Sequence, residues 1–437
     1  MVNKVCAEVA SDEAFVSGDI VPVKVVLEIE DPIVIQKLAL TLSGYTITRS
    51  FEQPKQSECS SSSLAHANDY CQRFLLRVFE LSLDSEIQLS PGRYEIESRV
   101  EVPDKNSICE SIINMGKSSE NDEEEEQPHE PSFLLPPSFI HETEEGDFIA
   151  ISYLILPLVN EDAAADPMSS SLDPKITYSS CQVKITPSKT TIPPEYLTEF
   201  SDFCSIETEK PQELVWKAKV DAFGLDSSDI SLGSRLTACA FFRCYPMKSQ
   251  GDVRLTRYLA PGDMLNRSVS FSLGLSFPRR TVGLPDKIKV HCHTLKSRLV
   301  EQIEYPKVTH KETDSRHSED SQGNAAKDII LSTTVVKTHE MMNQQINKAA
   351  TFEIYHISQE DENDGKQCHY IFQCPAKWFE VMVPQTFSTF ATTVLSHHYT
   401  LVTDFTFSTV DDPKSLVTVS VAADVFVNDD FSKNDKS

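Results

Sequence analysis

The stretch Pro193-Pro194-Glu195-Tyr196 carries the clearest recognition chemistry in this chain. Two prolines, any residue and a tyrosine form the PPxY pattern, which WW domains bind in aromatic-lined grooves. Consecutive prolines favour the polyproline II conformation, so such a ligand loses little entropy on docking. The sequence therefore predicts a WW-domain ligand made of Pro193, Pro194 and Tyr196. A stiff turn between two domains is the alternative interpretation.

The residues around this motif predict how exposed it is. Acidic side chains at Glu199 and Asp202 favour a solvated segment, whereas Leu197 and Phe203 favour anchoring of the turn that follows. We therefore expect exposure to be highest over 193–196 and to fall beyond Leu197. A WW domain must close around both proline rings and the tyrosine, so binding requires that exposure.

A basic cluster stands against the acidic background of the chain. Ile288 and Val290 alternate with Lys287 and Lys289, so the basic side chains are expected to share the outward face of a strand. This face is predicted to bind an acidic peptide or a lipid headgroup. A solvated strand face is the alternative. The cluster, opposed only by Asp286, comprises Arg279, Arg280, Lys287, Lys289, Lys296 and Arg298.

The sequence offers no catalytic or metal-binding constellation. It has no GxSxG, no HExxH and no glycine-rich phosphate loop. His291 and His293 flank Cys292, which points to the opposite face of a strand, so the three do not readily share a metal. His397 and His398 oppose each other in the same way. We predict a protein that is not an enzyme and needs neither metal nor cofactor.

Composition limits the partners and the compartment. The net charge of −26 repels nucleic acid and anionic membrane, which disfavours nucleic acid as a partner. The 11 cysteines include no CxxC pair, as expected for reduced thiols in the cytosol. The first residues do not resemble a signal peptide. The longest apolar run, 148–159, is shorter than the roughly 20 residues that a membrane span needs.

Apolar residues alternate with polar ones almost everywhere, which predicts an all-β fold of antiparallel β-sandwiches. One such stretch is predicted to point its apolar side chains inward: Val269, Phe271, Leu273, Leu275 and Phe277. A short helix near 339–349 is the one departure that we expect. The predicted domains are a sandwich over 1–187, a linker over 188–211, a second sandwich over 212–428 and a disordered tail over 429–437. Disordered surface loops are predicted at Ser57–Ser63, Glu120–Glu130, Thr309–Lys327 and Gln359–Gln367.

Four stretches, taken together in their order and spacing, resemble the arrestin family, and most closely the fungal-type α-arrestin adaptors. In the opening stretch, Gly18 and Gly44 occupy places where the family has a turn glycine and a Leu-x-Gly strand end. The four stretches are "FVSGDIVPVKVVLEIEDPIVIQKLALTLSGYTITRSF", "LSPGRYEIESRVEVP", "LPPSF" with the strand to Leu158, and "FEVMVPQTFSTFATTVLSHHYTLVTDFTFST…VTVSVAADVFV".

This resemblance implies two arrestin-like sandwiches in tandem and a non-enzymatic trafficking adaptor. Such an adaptor links a WW-domain HECT-type ubiquitin ligase to the cytoplasmic tails of membrane transporters. It works from the cytoplasm at the plasma membrane and endosomes, and it promotes ubiquitination and endocytosis. A retromer-like endosomal sorting subunit, which would not need Tyr196, or a scaffold with no ligase partner is the alternative.

The chain departs from the α-arrestin pattern in two ways. Its PPxY motif lies between the predicted domains, whereas α-arrestins usually carry it in a C-terminal tail. No stretch matches the charged polar core of visual and β-arrestins, so activation by receptor phosphates is not implied.

Overall fold

The all-β class predicted from the alternation is confirmed in a computed structural model of the chain. None of the helices within the described ranges is long and apolar enough to cross a bilayer. The predicted disordered loops and the tail after 428 lie almost entirely outside the residues that the structure describes. The structure describes residues 3–9, 13–51, 67–81, 86–103, 135–161, 175–186, 192–199, 201–218, 230–247, 252–277, 286–310, 328–357, 368–392, 394–410 and 412–428.

The chain divides into two compact units that are not continuous in sequence. The first unit contains Met1–Thr191, and two later segments, Ile303–Val335 and Phe390–Ser396, also belong to it. The second unit contains the remainder, which is Ile192–Gln302, Val336–Thr389 and His397–Ser437. Part of the predicted second domain is therefore assigned to the first unit.

Two sheets enclose one apolar core in the first unit, as in a β-sandwich. One sheet has the order β10-β1-β2-β7, and the other has the order β11-β9-β4-β5, with β8 beside β9. All of these neighbours are antiparallel except β1 and β10. The strands are β1 (Asn3–Val9), β2 (Ile20–Ile29), β3 (Ile33–Ile35), β4 (Leu38–Phe51), β5 (Ala67–Leu81), β6 (Ile87–Leu89), β7 (Gly92–Glu101), β8 (Phe139–Glu142), β9 (Phe148–Val159), β10 (Ile176–Ser179) and β11 (Cys181–Val183).

The period-two pattern explains how this core forms. The odd-numbered residues of β2 from Val21 to Ile29 share the buried face, as the alternation predicts. They pack with residues of the facing sheet such as Leu40 and Ile155 in a single cluster. At Gly44 the pairing of β4 with β5 shifts register, and the ring of Phe74 occupies the space that a side chain there would need.

A large sheet supplies most of the strands of the second unit. Its order is β13-β15-β19-β22-β21-β20-β24-β25-β18, and a small sheet, β12-β17-β16, lies apart from it. The later strands of the chain are β12 (Leu197–Glu199), β13 (Phe203–Glu207), β14 (Gln212–Ala218), β15 (Ile230–Arg243), β16 (Tyr245–Pro246), β17 (Val253–Leu255), β18 (Tyr258–Leu259), β19 (Val269–Phe277), β20 (Lys287–His310), β21 (Asp328–Ile357), β22 (Cys368–Gln373), β23 (Phe390–Ala391), β24 (Ser396–Thr409) and β25 (Val417–Val427), with 3-10 helices at Pro194–Tyr196 and Ala376–Phe379 and an α-helix at Leu265–Ser268.

The predicted inward face of β19 is confirmed. Val269, Phe271, Leu273, Leu275 and Phe277 are all buried in the main cluster of the second unit. The same cluster includes residues from β15, β20, β24 and β25, so strands near both ends of the sheet order share one core. Burying each such side chain contributes about 1.5–3 kcal/mol.

Two local predictions differ from the structure. The expected helix near 339–349 is part of β21. Met342, Ile346 and Ala350 are four residues apart, a spacing that places side chains on one side of a helix and also on one face of a strand. The residues from Ile192 to Pro211, where the sequence predicts a linker, belong to the second unit and include a 3-10 helix, β12 and β13.

Candidate functional site

The PPxY segment forms a turn that is bonded into the second unit. Pro194–Tyr196 is a 3-10 helix, in which the Tyr196 amide donates to the carbonyl of Pro193 at 3.0 Å. The Tyr196 carbonyl accepts from the amide of Thr256 at 2.7 Å. Immediately afterwards β12 pairs antiparallel with β17. A 3-10 turn differs from the extended polyproline II conformation that the two prolines predict.

The ring of Tyr196 lies in an apolar pocket rather than in solvent. Its centroid is 5.5 Å from that of Phe426. The guanidinium carbon of Arg257 lies over the ring, 5.0 Å from its centroid, and the same guanidinium donates to the carbonyl of Glu195. Burial raises the pKa of Tyr196 to about 12, although the nearby Arg257 opposes that rise. The Tyr196 pocket is formed by Ile192, Met247, Leu255, Arg257, Tyr258, Ala260 and Phe426.

The expectation that exposure peaks over the motif is wrong for its tyrosine. Tyr196 is only 3% exposed, whereas Glu195 is exposed and Pro193 and Leu197 are half-buried. The reason is that the aromatic ring completes a small core with Phe426, which the sequence pattern of a linker does not reveal. The docking role of the motif stays a prediction, and it requires the tyrosine ring to leave this pocket.

The basic side chains of β20 have the outward placement that the sequence predicts. Lys287, Lys289 and Lys296 are exposed and Arg298 is half-buried. The alternation shifts by one residue between Cys292 and Leu295, which are both buried. This shift is what lets odd-numbered and even-numbered basic residues share one face. Arg279 and Arg280 lie outside the described residues.

Ion pairs neutralise part of this basic face. The Lys287 ammonium lies 2.6 Å from Glu353, and this hydrogen bond raises the pKa of Lys287. A guanidinium nitrogen of Arg298 lies 2.6 Å from Asp404. Within the described part of the chain, no carboxylate lies in ion-pair range of Lys289 or Lys296. These two lysines are therefore the stronger candidates for an acidic ligand.

The histidine pair on β20 points away from the cysteine between them, as predicted. Cys292 is fully buried, while His291 and His293 are half-buried with ring centroids 4.6 Å apart. A ring nitrogen of His293 hydrogen-bonds the hydroxyl of Ser408 at 2.7 Å. Burial and the adjacent His291 lower the pKa of His293. In the described ranges, no group of three or more His, Cys, Asp or Glu residues is arranged to hold a metal ion.

A buried carboxylate between two histidines is a feature that the sequence interpretation missed. One Glu301 oxygen lies 2.8 Å from Nε2 of His397, and the other lies 2.7 Å from Nε2 of His339. The hydroxyl of Tyr399 donates to the first oxygen at 3.4 Å. Glu301 is 4% exposed and His397 is fully buried.

The hydrogen bonds of this cluster favour the ionised form of its carboxylate. Nδ1 of His397 faces the carbonyl oxygen of Ser388 at 3.0 Å while Nε2 faces the carboxylate. Both neighbours are oxygen acceptors, so either ring nitrogen has an acceptor for its hydrogen. Burial raises the pKa of Glu301, but the hydrogen bonds from His397 and His339 outweigh it and lower the pKa to about 2.

A weak signal for this cluster was present in the sequence. Glu301 follows Leu295, Ser297 and Leu299 at the same period of two, which places an acid on the inward face of a strand. A buried acid needs a partner. The sequence does not show that the partners come from β21 and β24, because those pairings join residues about 40 and 100 positions apart.

Comparison with known proteins matches this chain to no family and to no curated protein.

Proposed function

We propose that this chain is a non-enzymatic trafficking adaptor built from two arrestin-like β-sandwiches in tandem. Two compact all-β units support this proposal, as does the order of the four arrestin-like stretches along the sequence. The adaptor is cytoplasmic and is recruited to the plasma membrane and endosomes through its cargo. Its task is to join membrane transporters to a ubiquitin ligase.

The basic face of β20 is the observation that carries the cargo-binding part of the proposal. Lys289 and Lys296 are exposed positive charges on a chain with a net charge of −26. A positive face attracts an acidic segment, even on a protein whose overall charge is negative. The proposed ligand is an acidic segment in the cytoplasmic tail of a transporter.

The PPxY motif carries the ligase-binding part. Pro193, Pro194 and Tyr196 are the proposed ligand of a WW domain in a HECT-type ligase, bound after the Tyr196 ring leaves its pocket. A pull-down of such a ligase tests this with a variant in which Pro193 and Pro194 are both alanine. Glu195→Ala is the matched control, because the third position of PPxY accepts any residue. We expect ligase capture to be lost in the first variant and kept in the second.

Burial of Tyr196 favours a second candidate function that needs no ligase. A retromer-like sorting subunit or a plain scaffold would use the Tyr196 ring as core alone, which agrees with its 3% exposure. The same pull-down separates the two candidates. Absence of ligase capture by the unaltered chain favours the sorting subunit or scaffold. Capture that persists without both prolines shows that the ligase binds elsewhere and contradicts the role of the motif.

A further inference from the structure

We infer that Arg257 holds the PPxY motif closed against the second unit, so that the motif is autoinhibited until the Tyr196 pocket opens. This inference rests on the proposed WW-domain function and adds its regulation. The side chain of Arg257 makes two different contacts with the motif, one to the carbonyl of Glu195 and one to the face of Tyr196. One side chain therefore contacts both the third and the fourth residue of the motif.

The backbone of Arg257 is held in an unusual conformation that places this side chain. Its φ is +49°, in the left-handed region that residues other than glycine rarely adopt. Its carbonyl accepts from the amide of Phe426 at 2.9 Å. Phe426 also packs on Tyr196, so two residues that are hydrogen-bonded to each other both contact the ring.

A bound WW domain is incompatible with these contacts. Its grooves must take up the tyrosine ring that Phe426 and Arg257 cover, and they require the extended conformation instead of the 3-10 turn. Only the open fraction of molecules can bind, so the apparent Kd rises in inverse proportion to that fraction. The closed state thus weakens ligase binding without altering the motif itself.

The exposed surface of the motif is consistent with a segment that opens locally. Glu195 in the turn and Glu199 in the following strand β12 are both exposed. The small sheet β12-β17-β16 has only three short strands, and the pairing of β12 with β17 covers three residue pairs. Elements with so little pairing open at a lower free-energy cost than core strands do.

Titration with a recombinant WW domain of a HECT-type ligase tests the inference. Three ligands are compared: a synthetic peptide spanning Thr190 to Asp202, the full chain, and the full chain with Arg257→Asn. Asparagine tolerates the left-handed backbone but lacks the guanidinium. Arg243→Asn is the control: Arg243 also lies over a ring, 5.9 Å from the centroid of Tyr245, and among the described residues it makes no contact with Glu195 or Tyr196.

We expect the full chain to bind at least about tenfold more weakly than the peptide, and Arg257→Asn to recover much of that loss. Hydrogen exchange at the amides of Tyr196 and Thr256 should be faster in Arg257→Asn and unchanged in Arg243→Asn. Equal affinity of peptide and full chain overturns the closed state while leaving the WW-domain function intact. Unchanged exchange in Arg257→Asn overturns the role of Arg257. A peptide that does not bind overturns the proposed ligase function, and autoinhibition with it.

Discussion

Glu301 and His397 form a hydrogen-bonded pair, 2.8 Å from Oε1 to Nε2, in the interior of the second unit. His339 closes the other side of the carboxylate, so one acid on β20 joins β21 and β24. Such a cluster is a polar cross-link inside an otherwise apolar sheet. A buried charge pair stabilises little by itself, but leaving either partner alone is costly.

Replacing Glu301 with glutamine is therefore expected to destabilise the second unit. The variant leaves a buried His397 opposite a neutral amide, and breaking a buried pair costs about 3–5 kcal/mol. Urea denaturation followed by intrinsic fluorescence measures this change. Glu340→Gln on the exposed part of β21 is the control and should change the free energy of unfolding by less than about 0.5 kcal/mol. A Glu301→Gln variant as stable as that control contradicts the prediction.

Stability should also fall in acid, because the pKa of Glu301 is lowered from 4.5 to about 2 in the folded chain. A group whose pKa is depressed by folding stabilises the fold above its unfolded pKa and loses that effect as pH falls. We expect the unaltered chain to lose stability between about pH 4.5 and 2. The Glu301→Gln variant should show a smaller loss over that range, which thermal melts at several pH values measure. Parallel pH curves for the two proteins count against the assignment to Glu301.

Gly44 is expected to tolerate no side chain. A Cβ there would lie 2.7 Å from the ring of Phe74 and 3.0 Å from Tyr153. Since both rings are buried, Gly44→Ala should destabilise the first unit by about 1–3 kcal/mol. Gly233→Ala is the control, because its close neighbour is the end of the flexible Glu213 side chain, which can move away. Chemical denaturation of both variants gives the comparison, and equal stabilities contradict the steric argument.

Charge reversal on β20 should weaken binding of an acidic peptide. Lys289→Glu with Lys296→Glu is expected to have a larger effect than Lys287→Glu, because Lys287 is already paired with Glu353. Titration of a fluorescent Asp- and Glu-rich peptide at several salt concentrations should show lower affinity and a shallower salt dependence. Lys337→Glu with Lys348→Glu on β21 is the matched control, as both lysines are exposed. If both double variants behave alike, the β20 face is an ordinary solvated surface.

The sequence predicted the features that depend on neighbouring residues. The inward set on β19 and the outward lysines on β20 follow from a period of two, which reads directly from the chain. Features made by distant residues were not predictable. Tyr196 is buried because of Phe426, 230 positions later, and β21 is a strand because β20 pairs with it. In both cases tertiary contacts overrode the local signals of linker and helix.

Because of the one-residue shift within β20, the number of residues in that strand determines which of its side chains face outward. Before the shift the odd positions face outward, as at Lys289, and after it the even positions do, as at Lys296. Removing one residue after the shift, such as Ser297, would turn Arg298 toward the core and force Leu299 and Glu301 out of it. Substitutions should thus be tolerated across this face more readily than insertions or deletions. Among related chains, β20 is expected to vary in composition while keeping its residue count.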